Sequence, residues 1–237
     1  MILAIESATP HASVALVAGE RVLGETVLPP EKQVSETLYS AIDRLFGESG
    51  RGPGGVTHVA VSAGPGSFTG LRVGMAAAKG FCLGWGLPIV PVPTLHALAS
   101  RSRAGEALVC PVLDARKKEV YAGIFRWEGR ECLRVAPDAA VPPDALPDWF
   151  PEGIVLFCGD GTVPYGELLR ARMGPRALFL PPGEGLPRAS AVGLLAARTV
   201  REGGVPEART VVPAYLRPSE AERHRGKEAG PRQEIDN

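Results

Sequence analysis

The sequence predicts an α/β protein built from two similar lobes. Three strand-like segments open the chain, and helices then alternate with single strands, which gives the order βββαβαβα. The same order begins again at Leu108, where an apolar strand ends in Asp114 just as the first strand ends in Glu6, 108 positions earlier. Because each unit joins strands through helices, each is expected to form one sheet covered by helices.

The first unit is defined by changes of hydrophobic period. Apolar residues at helical spacing, Val34, Leu38, Ile42 and Leu45, predict its first helix, which ends before a Gly/Pro loop. The predicted elements, in chain order, are strands at 2–6, 12–18 and 21–28, a helix over 34–46, a strand at 58–62, a helix over 67–85, a strand at 89–92 and a helix over 94–103.

The second unit repeats this order in a smaller form. Its first helix is expected to be reduced to the proline-rich stretch 137–151. The other predicted elements are strands at 108–113, from 119, after Gly129, at 154–157 and at 177–180, and helices over 164–173 and 189–202. We therefore divide the chain into an amino-terminal lobe (1–104) that carries the dimerisation helices, a carboxy-terminal lobe (105–217) and a charged tail (218–237) that is expected to be disordered.

This duplication suggests a pair of ribonuclease-H-like lobes facing across a cleft, the architecture of the actin, Hsp70 and sugar-kinase (ASKHA) superfamily. If the duplication is real, Glu6 and Asp114 face one another across that cleft. The architecture includes kinases, ATPases and inert subunits, so it assigns no chemistry by itself.

The composition excludes several classes of protein. The 237 residues are 45% apolar, enough for a sizeable core. Lys plus Arg equals Asp plus Glu at 26 each, so no overall field attracts nucleic acid or an acidic membrane, and any RNA contact has to be local. The amino terminus lacks the features of a signal sequence, and no segment is predicted to span a membrane. We expect a cytoplasmic protein whose four scattered cysteines are reduced and buried.

An unusual helix follows the motif GPGSFTGLRVG at residues 64–74. Gly70, Gly74, Ala78 and Cys82 recur at every fourth position and form one narrow stripe. Each interior glycine costs roughly 0.8–1 kcal/mol relative to alanine, so a close neighbour must offset that cost. Two interpretations stay open: a helix packed in a tight core, or a face on which a partner docks.

Two segments could hold a phosphate group in this architecture. The hairpin after the first strand offers hydroxyls, turn amides and a carboxylate that could order hydrated magnesium, and the GPGS loop places amides at a helix start. The candidate nucleotide or phosphate ligands are Glu6, Ser7, Thr9, Gly64, Gly66 and Ser67. The alternatives are a polar hairpin that satisfies its own backbone and glycines that serve turn geometry, since no Walker GK[ST] follows.

The sequence offers no metal site and no activated nucleophile. His11, His58, His96 and His224 lack the paired spacing of metal ligands. The sequence contains no GxSxG nucleophile elbow, and no general base is assigned to Ser67.

Several motifs together resemble one family over residues 1–217. They are LAIESAT near the start, GPGSFTGLRVGMAAAKG from Gly64, DARKKEVYAGIF from Asp114, CGDG from Cys158 and PAYLR from Pro213. The chain resembles the TsaB (YeaZ) family, bacterial partner subunits of the enzyme that makes N6-threonylcarbamoyladenosine (t6A) in tRNA.

The resemblance implies an accessory subunit that binds a catalytic TsaD-type subunit through its first two helices. TsaD-like chains bind a metal through two histidines four apart; the matching stretch here offers Thr94 and Leu98, with His96 out of register, so no catalytic residue, metal or cofactor is expected in this chain. The implied interface residues are Val34, Leu38, Ile42, Leu45, Gly70, Leu71, Gly74, Met75 and Ala78.

The resemblance also implies a wider assembly. A TsaE-type ATPase would join the complex, ATP would be used by the complex, and tRNA would be bound through it. Alone, the chain is expected to form a homodimer. The competing hypotheses are a self-sufficient actin-like ATPase or phosphotransferase, motivated by Glu6, Ser7, Thr9 and the GPGS loop, and a metallopeptidase, whose ligands the sequence lacks.

Overall fold

Each half of the chain forms one five-stranded sheet. The computed structural model describes residues 1–103, 105–181, 183–204 and 210–217. The first sheet contains the strands β1 (Ile2–Glu6), β2 (Ser13–Ala18), β3 (Arg21–Val27), β4 (His58–Ser62) and β5 (Ile89–Val92). The second contains β6 (Leu108–Arg116), β7 (Glu119–Glu128), β8 (Glu131–Val141), β9 (Val155–Cys158) and β10 (Ala177–Phe179).

The two sheets have the same topology, which confirms the predicted duplication. Their strand orders are β3-β2-β1-β4-β5 and, read in the same direction, β8-β7-β6-β9-β10. In the first, β1 pairs antiparallel with β2 and parallel with β4; in the second, β6 pairs antiparallel with β7 and parallel with β9. The central strands are buried on both faces, which explains their continuous apolar runs.

Five α-helices cover the sheets in the described part of the chain: α1 (Val34–Ser49), α2 (Phe68–Trp85), α3 (Thr94–Ser100), α4 (Thr162–Met173) and α5 (Ala189–Arg201). A short 3₁₀-helix at Pro143–Trp149 replaces α1 in the second half, so the predicted reduction is confirmed. It begins later than expected because residues 137–141 continue β8. Among the described residues, no helix is long and apolar enough to cross a membrane.

Two helices pack across the predicted division of the chain at residue 104. On α3, Leu95 and Leu98 share a core cluster with Phe125 of the second sheet. On α5, Val192 and Ala196 pack in a cluster with strands β1, β2, β4 and β5 of the first sheet. The final helices of the two repeats are therefore exchanged. The small residues of α5 allow it to lie close to the first sheet, where a Cβ on Gly193 would be 3.2 Å from that of Ala4.

The carboxy-terminal segment also returns to the amino-terminal lobe. We call residues 210–217 the strap. Val211 belongs to the first core, the Ala214 amide donates to the Ala63 carbonyl at 2.7 Å, and the Tyr215 ring lies 4.9 Å from that of Phe68. The predicted carboxy-terminal lobe thus ends before the strap, and the tail predicted at 218–237 lies outside the described residues.

Candidate functional site

The two segments predicted to bind phosphate lie side by side and hydrogen-bond to each other. The Ser67 amide donates to the Ala8 carbonyl at 2.7 Å, and the Ser7 hydroxyl donates to the Gly70 carbonyl at 2.9 Å. The Ser7 amide donates to the Ser62 hydroxyl at 3.2 Å. The hairpin is therefore clamped onto the start of α2.

The donors and acceptors on which the phosphate hypothesis depends are largely used within the chain. The Ser67 hydroxyl caps α2 by accepting from the Gly70 amide at 3.2 Å, and the Gly64 amide donates to the Thr94 hydroxyl at 3.2 Å. The Thr9 hydroxyl accepts from the His11 amide at 3.3 Å. Gly66 packs so closely that a Cβ there would lie 2.7 Å from that of Ala8. These bonds favour the plain alternatives, a self-satisfied hairpin and glycines required by close packing.

Glu6 is buried beneath this hairpin. Its Oε1 accepts from the Ala8 amide at 2.6 Å, while Oε2 is buried without a hydrogen-bond partner. Burial raises the pKa of Glu6 to about 7, although the hydrogen bonds from Ala8 and Ser62 oppose that rise. A carboxyl group that is inaccessible to water is poorly placed to hold a hydrated magnesium ion.

Asp114, the counterpart of Glu6 in the second repeat, has a different environment. Its carboxylate lies 3.3 Å from the Arg116 guanidinium, and its amide donates to Asp160 Oδ1 at 3.0 Å. Burial and the nearby Asp114 charge raise the pKa of Asp160, while the charges of His11 and Arg116 lower it. Sequence reasoning missed Asp160, although the CGDG motif was a signal for it.

The residues at the positions of the TsaD-type histidine pair have structural roles. The Thr94 hydroxyl accepts from Gly64, and the Leu98 side chain is fully buried. His96 Nε2 lies 2.8 Å from the Cys132 carbonyl oxygen, and its ring stacks on Phe125. Within the described residues, no three His, Cys, Asp or Glu side chains lie close enough together to hold a metal ion.

The predicted interface residues lie on the inner face of the two helices. Val34 is partly buried, and the other eight are buried in the chain's own core: Leu38, Ile42, Leu45, Gly70, Leu71, Gly74, Met75 and Ala78. The close neighbour of the glycine stripe is Ser7, since a Cβ on Gly70 or Gly74 would collide with it. The stripe thus packs against the hairpin of the same chain.

A second small-residue face on α2 is exposed. We define the outer face as Tyr39 of α1 with Ala76, Gly80 and Leu83 of α2. Tyr39 is 58% and Leu83 82% exposed, and a Cβ on Gly80 would meet only the Tyr39 hydroxyl, at 3.9 Å. The half-exposed Trp85 lies at the end of α2. The signal for this face was the spacing of residues 76, 80 and 84, which the inner stripe obscured.

Comparisons with known proteins agree on the family. A family model described as "TsaD: tRNA N6-adenosine threonylcarbamoyltransferase" matches residues 22–224. The chain is 30% identical over 227 residues, 91% of its length and 94% of the relative, to the tRNA threonylcarbamoyladenosine biosynthesis protein TsaB of Escherichia coli.

Solved structures support the same fold. YeaZ from Pseudomonas aeruginosa matches with a TM-score of 0.77 at 28% identity, over 91% of this chain and 99% of that one. A ROK hexokinase from Thermus thermophilus, at a TM-score of 0.50 and 14% identity over 85% of this chain and 99% of that one, shares the fold alone. With its duplicated sheets, its TsaD-related sequence and these relatives, the chain belongs to the TsaB (YeaZ) family of t6A biosynthesis proteins.

Proposed function

We propose that this chain is the non-catalytic subunit of the t6A synthase and that it binds a TsaD-type catalytic subunit through its outer face. The observation that carries the proposal is the exposure of Tyr39 and Leu83 on two adjacent helices. Large apolar side chains next to Ala76 and Gly80 leave a surface on which another helix can pack closely.

The proposed occupant shares this chain's fold. A TsaD family model matches 203 of its residues, from 22 to 224, so a TsaD-type subunit is expected to carry counterparts of α1 and α2. Two such helix pairs can form a four-helix interface in which each pair covers the other's exposed residues. The same geometry allows a second copy of this chain to occupy the face, which supports the expectation of a homodimer when the catalytic subunit is absent.

The side chains support an accessory role rather than catalysis. Thr94, His96 and Leu98 serve packing and hydrogen bonding, and Glu6 is sealed beneath its own hairpin. We therefore assign threonylcarbamoyl transfer to the TsaD-type subunit and ATP use to the complex with its TsaE-type ATPase. The transfer runs from threonylcarbamoyl-adenylate to adenosine 37 of cytoplasmic tRNA. The alternative, an independent ATPase, predicts that the isolated chain binds magnesium ATP in calorimetry.

The decisive experiment is reconstitution of tRNA modification from purified subunits. We expect t6A to form when this chain, the TsaD-type subunit and the TsaE-type ATPase are present with threonylcarbamoyl-adenylate, and its yield to fall sharply when this chain is left out. An unchanged yield without it would refute the proposal.

A matched pair of variants tests the outer face. Leu83→Asp places a charge where a partner would exclude water, so we expect at least a tenfold loss of affinity for the TsaD-type subunit, which corresponds to about 1.4 kcal/mol. Val163→Asp is the control, because Val163 on α4 is 80% exposed on the other sheet. Light scattering and calorimetry measure the binding. If both variants bound the TsaD-type subunit equally, the interface would not include the outer face.

A further inference from the structure

An arginine extends the outer face toward the start of α2. At about 3.6 residues per turn, an arc of roughly 80° around the helix contains four exposed residues: Arg72, Ala76, Gly80 and Leu83. Arg72 lies one turn before Ala76, and the sequence of α2 contains only one other charged residue, Lys79. The guanidinium is therefore continuous with the surface that is proposed to bind the TsaD-type subunit.

The Arg72 side chain is exposed but held in one position. Its guanidinium lies 3.7 Å from the centroid of the Phe68 ring, and its Nε donates to the Tyr215 hydroxyl at 3.1 Å. The two rings also pack on each other, with centroids 4.9 Å apart. An arginine that is ordered before it binds loses less conformational entropy on binding. The two rings thus prepare the guanidinium for a partner in a fixed position.

The strap supplies Tyr215 and is anchored on both sides of it. The Ala214 amide donates to the Ala63 carbonyl at 2.7 Å, next to the first sheet. The Arg217 guanidinium lies 2.6 Å from the carboxylate of Glu119, in the second sheet. The PAYLR motif that the sequence analysis singled out therefore fixes the Tyr215 ring against the start of α2.

The terminal amino groups of Arg72 have no hydrogen-bond partner among the residues that the structure describes. Its contacts there are with the two aromatic side chains. Two other arginines that stack on rings use their amino groups within the chain: Arg170 pairs with Glu167, and Arg103 donates to the Gly129 carbonyl. Arg72 instead presents a planar pair of donors at the surface, the geometry that binds a carboxylate through two hydrogen bonds.

The surroundings of Arg72 favour a carboxylate of a protein over a phosphate of a nucleic acid. The neighbouring residues of the outer face, Ala76, Gly80 and Leu83, carry no charge and suit a packed helix. A polyanion would instead require several cations along its path. A partner helix on this face would also exclude water from Arg72, which strengthens a hydrogen bond between charged groups.

We propose that Arg72 binds a carboxylate of the TsaD-type subunit at the edge of the four-helix interface, and that Tyr215 of the strap is the positioning residue that holds Arg72 there. The proposal rests on the proposed function and adds to it the contact that fixes the register of the two helix pairs. Apolar contacts at Leu83 are not directional, whereas an arginine–carboxylate pair with two hydrogen bonds requires one relative position.

The test measures the affinity of the Arg72→Gln chain for the TsaD-type subunit by calorimetry. We expect at least a tenfold loss, because the partner carboxylate is left without its cation. The ratio of wild-type to variant affinity should narrow between about 0.1 M and about 1 M salt, because salt screens the pair. Arg72→Lys keeps the charge without the planar pair of donors and should have an intermediate affinity.

A second variant, Tyr215→Phe, tests the positioning role. It removes the hydroxyl that accepts from Arg72 and leaves the ring packed on Phe68. We expect a smaller loss of affinity than for Arg72→Gln. Combining the two substitutions should cause no further loss, because the hydroxyl acts through Arg72. Losses that multiply in the double variant would refute the positioning role.

The matched control is Arg103→Gln. Arg103 is also exposed, and its guanidinium lies 5.3 Å from the centroid of the Trp127 ring on the second sheet. This substitution removes the same charge and a similar stacking contact, and it should leave the affinity unchanged. Equal losses in Arg72→Gln and Arg103→Gln would reflect net charge alone and would refute the pair. A lower melting temperature of isolated Arg72→Gln with unchanged affinity would show that Arg72 pairs within its own chain, which also refutes it.

The outcomes separate this contact from the proposed function. If the wild-type chain binds the TsaD-type subunit, and Leu83→Asp weakens that binding while Arg72→Gln does not, the outer face stands and the Arg72 contact is refuted. If Arg72→Gln instead weakens only the binding of tRNA to the assembled complex, Arg72 binds phosphate and the proposed contact is again refuted. Failure of the wild-type complex to form refutes the proposed function itself.

Discussion

The inner and outer faces of α2 carry the same sequence pattern and have opposite surroundings. Gly70 and Gly74 on the inner face lie against Ser7. Ala76 and Gly80 on the outer face are exposed, and a Cβ on Gly80 would meet only the Tyr39 hydroxyl. We therefore expect folding to require the inner glycines but not the outer small residues. Small residues at every fourth position therefore predict a close neighbour without identifying whether it lies in the same chain.

The largest expected effect is a difference in stability between leucine substitutions on the inner face and on the outer face. Gly74→Leu should lower the free energy of unfolding by at least about 3 kcal/mol, because its Cβ would already lie 3.1 Å from that of Ser7 and no space remains for the rest of the side chain. Gly80→Leu should cause no such loss. Urea unfolding followed by circular dichroism measures both, and equal losses would abolish the distinction.

The second prediction concerns the hairpin that covers the inner face. The pKa of Glu6 is about 7 in the folded chain against an ordinary value of 4.5, so the folded state holds an extra proton between these pH values and stability falls as pH rises through them. Glu6→Gln removes this dependence. Relative to the wild type, the variant should gain about 3 kcal/mol of unfolding free energy between pH 4 and pH 8.

The difference in unfolding free energy between the wild type and Glu6→Gln separates the contribution of Glu6 from those of other titrating groups. Burial lowers the pKa of His96 and of His58, and these residues titrate alike in both. Urea unfolding across the pH range is the measurement. A difference that stayed constant with pH would show that the pKa of Glu6 is the same in the folded and the unfolded chain, which would contradict the prediction.

A third, smaller effect tests the contact between Ser7 and Gly74 directly. Ser7→Gly removes the two atoms nearest to a Cβ at position 74, and the next atom, Ile5 Cγ2, is 3.5 Å away. In a double-mutant cycle, Ser7→Gly should therefore recover about 1–2 kcal/mol of the loss caused by Gly74→Ala. Additive losses would mean that another neighbour limits the stripe.

The smallest prediction is on the outer face. Gly80→Ala should raise the unfolding free energy by about 0.5–1 kcal/mol, because alanine restricts the unfolded chain and favours the helix without meeting an obstacle. Its effect on binding to the TsaD-type subunit should be opposite if a partner helix packs closely there. Thermal melting measures the change in stability, and calorimetry measures the change in binding. A loss of stability would show that a neighbour from the same chain packs on this face.

Most elements could be predicted because their signals are local. The strands at Ile2–Glu6, His58–Ser62 and Ile89–Val92 have the predicted bounds, since short apolar runs between turn residues define them. The exchange of α3 and α5 between the sheets could not be predicted in this way. Both helices are apolar on one face, and nothing local says which of two similar sheets each will cover.

For the candidate phosphate site, the sequence indicated two polar segments but not how their hydrogen-bonding groups are used. Sequence reasoning assigned Ser7 and Ser67 to two separate candidate phosphate segments. The structure brings these segments together, because both follow strands that end at the same edge of one sheet. Whether their polar groups would remain free depends on distances between segments some 60 positions apart. The Ser7 hydroxyl donates to the Gly70 carbonyl and the Ser67 amide donates to the Ala8 carbonyl, so neither is free. The positive φ angles of Arg116, Lys117 and Lys118, between β6 and β7, could not be predicted either, since no residue type marks three consecutive left-handed conformations.

The sequence by itself determined the repeated strand–helix order, the family resemblance and the presence of an unusually thin helix, because hydrophobic period, motifs and glycine spacing are properties of neighbouring residues. Only the tertiary structure decided which side of that helix the chain covers, which lobe each terminal helix joins and where the strap returns. These outcomes depend on long-range packing, in which Ser7 reaches Gly74 and Gly193 of α5 packs closely on the first sheet.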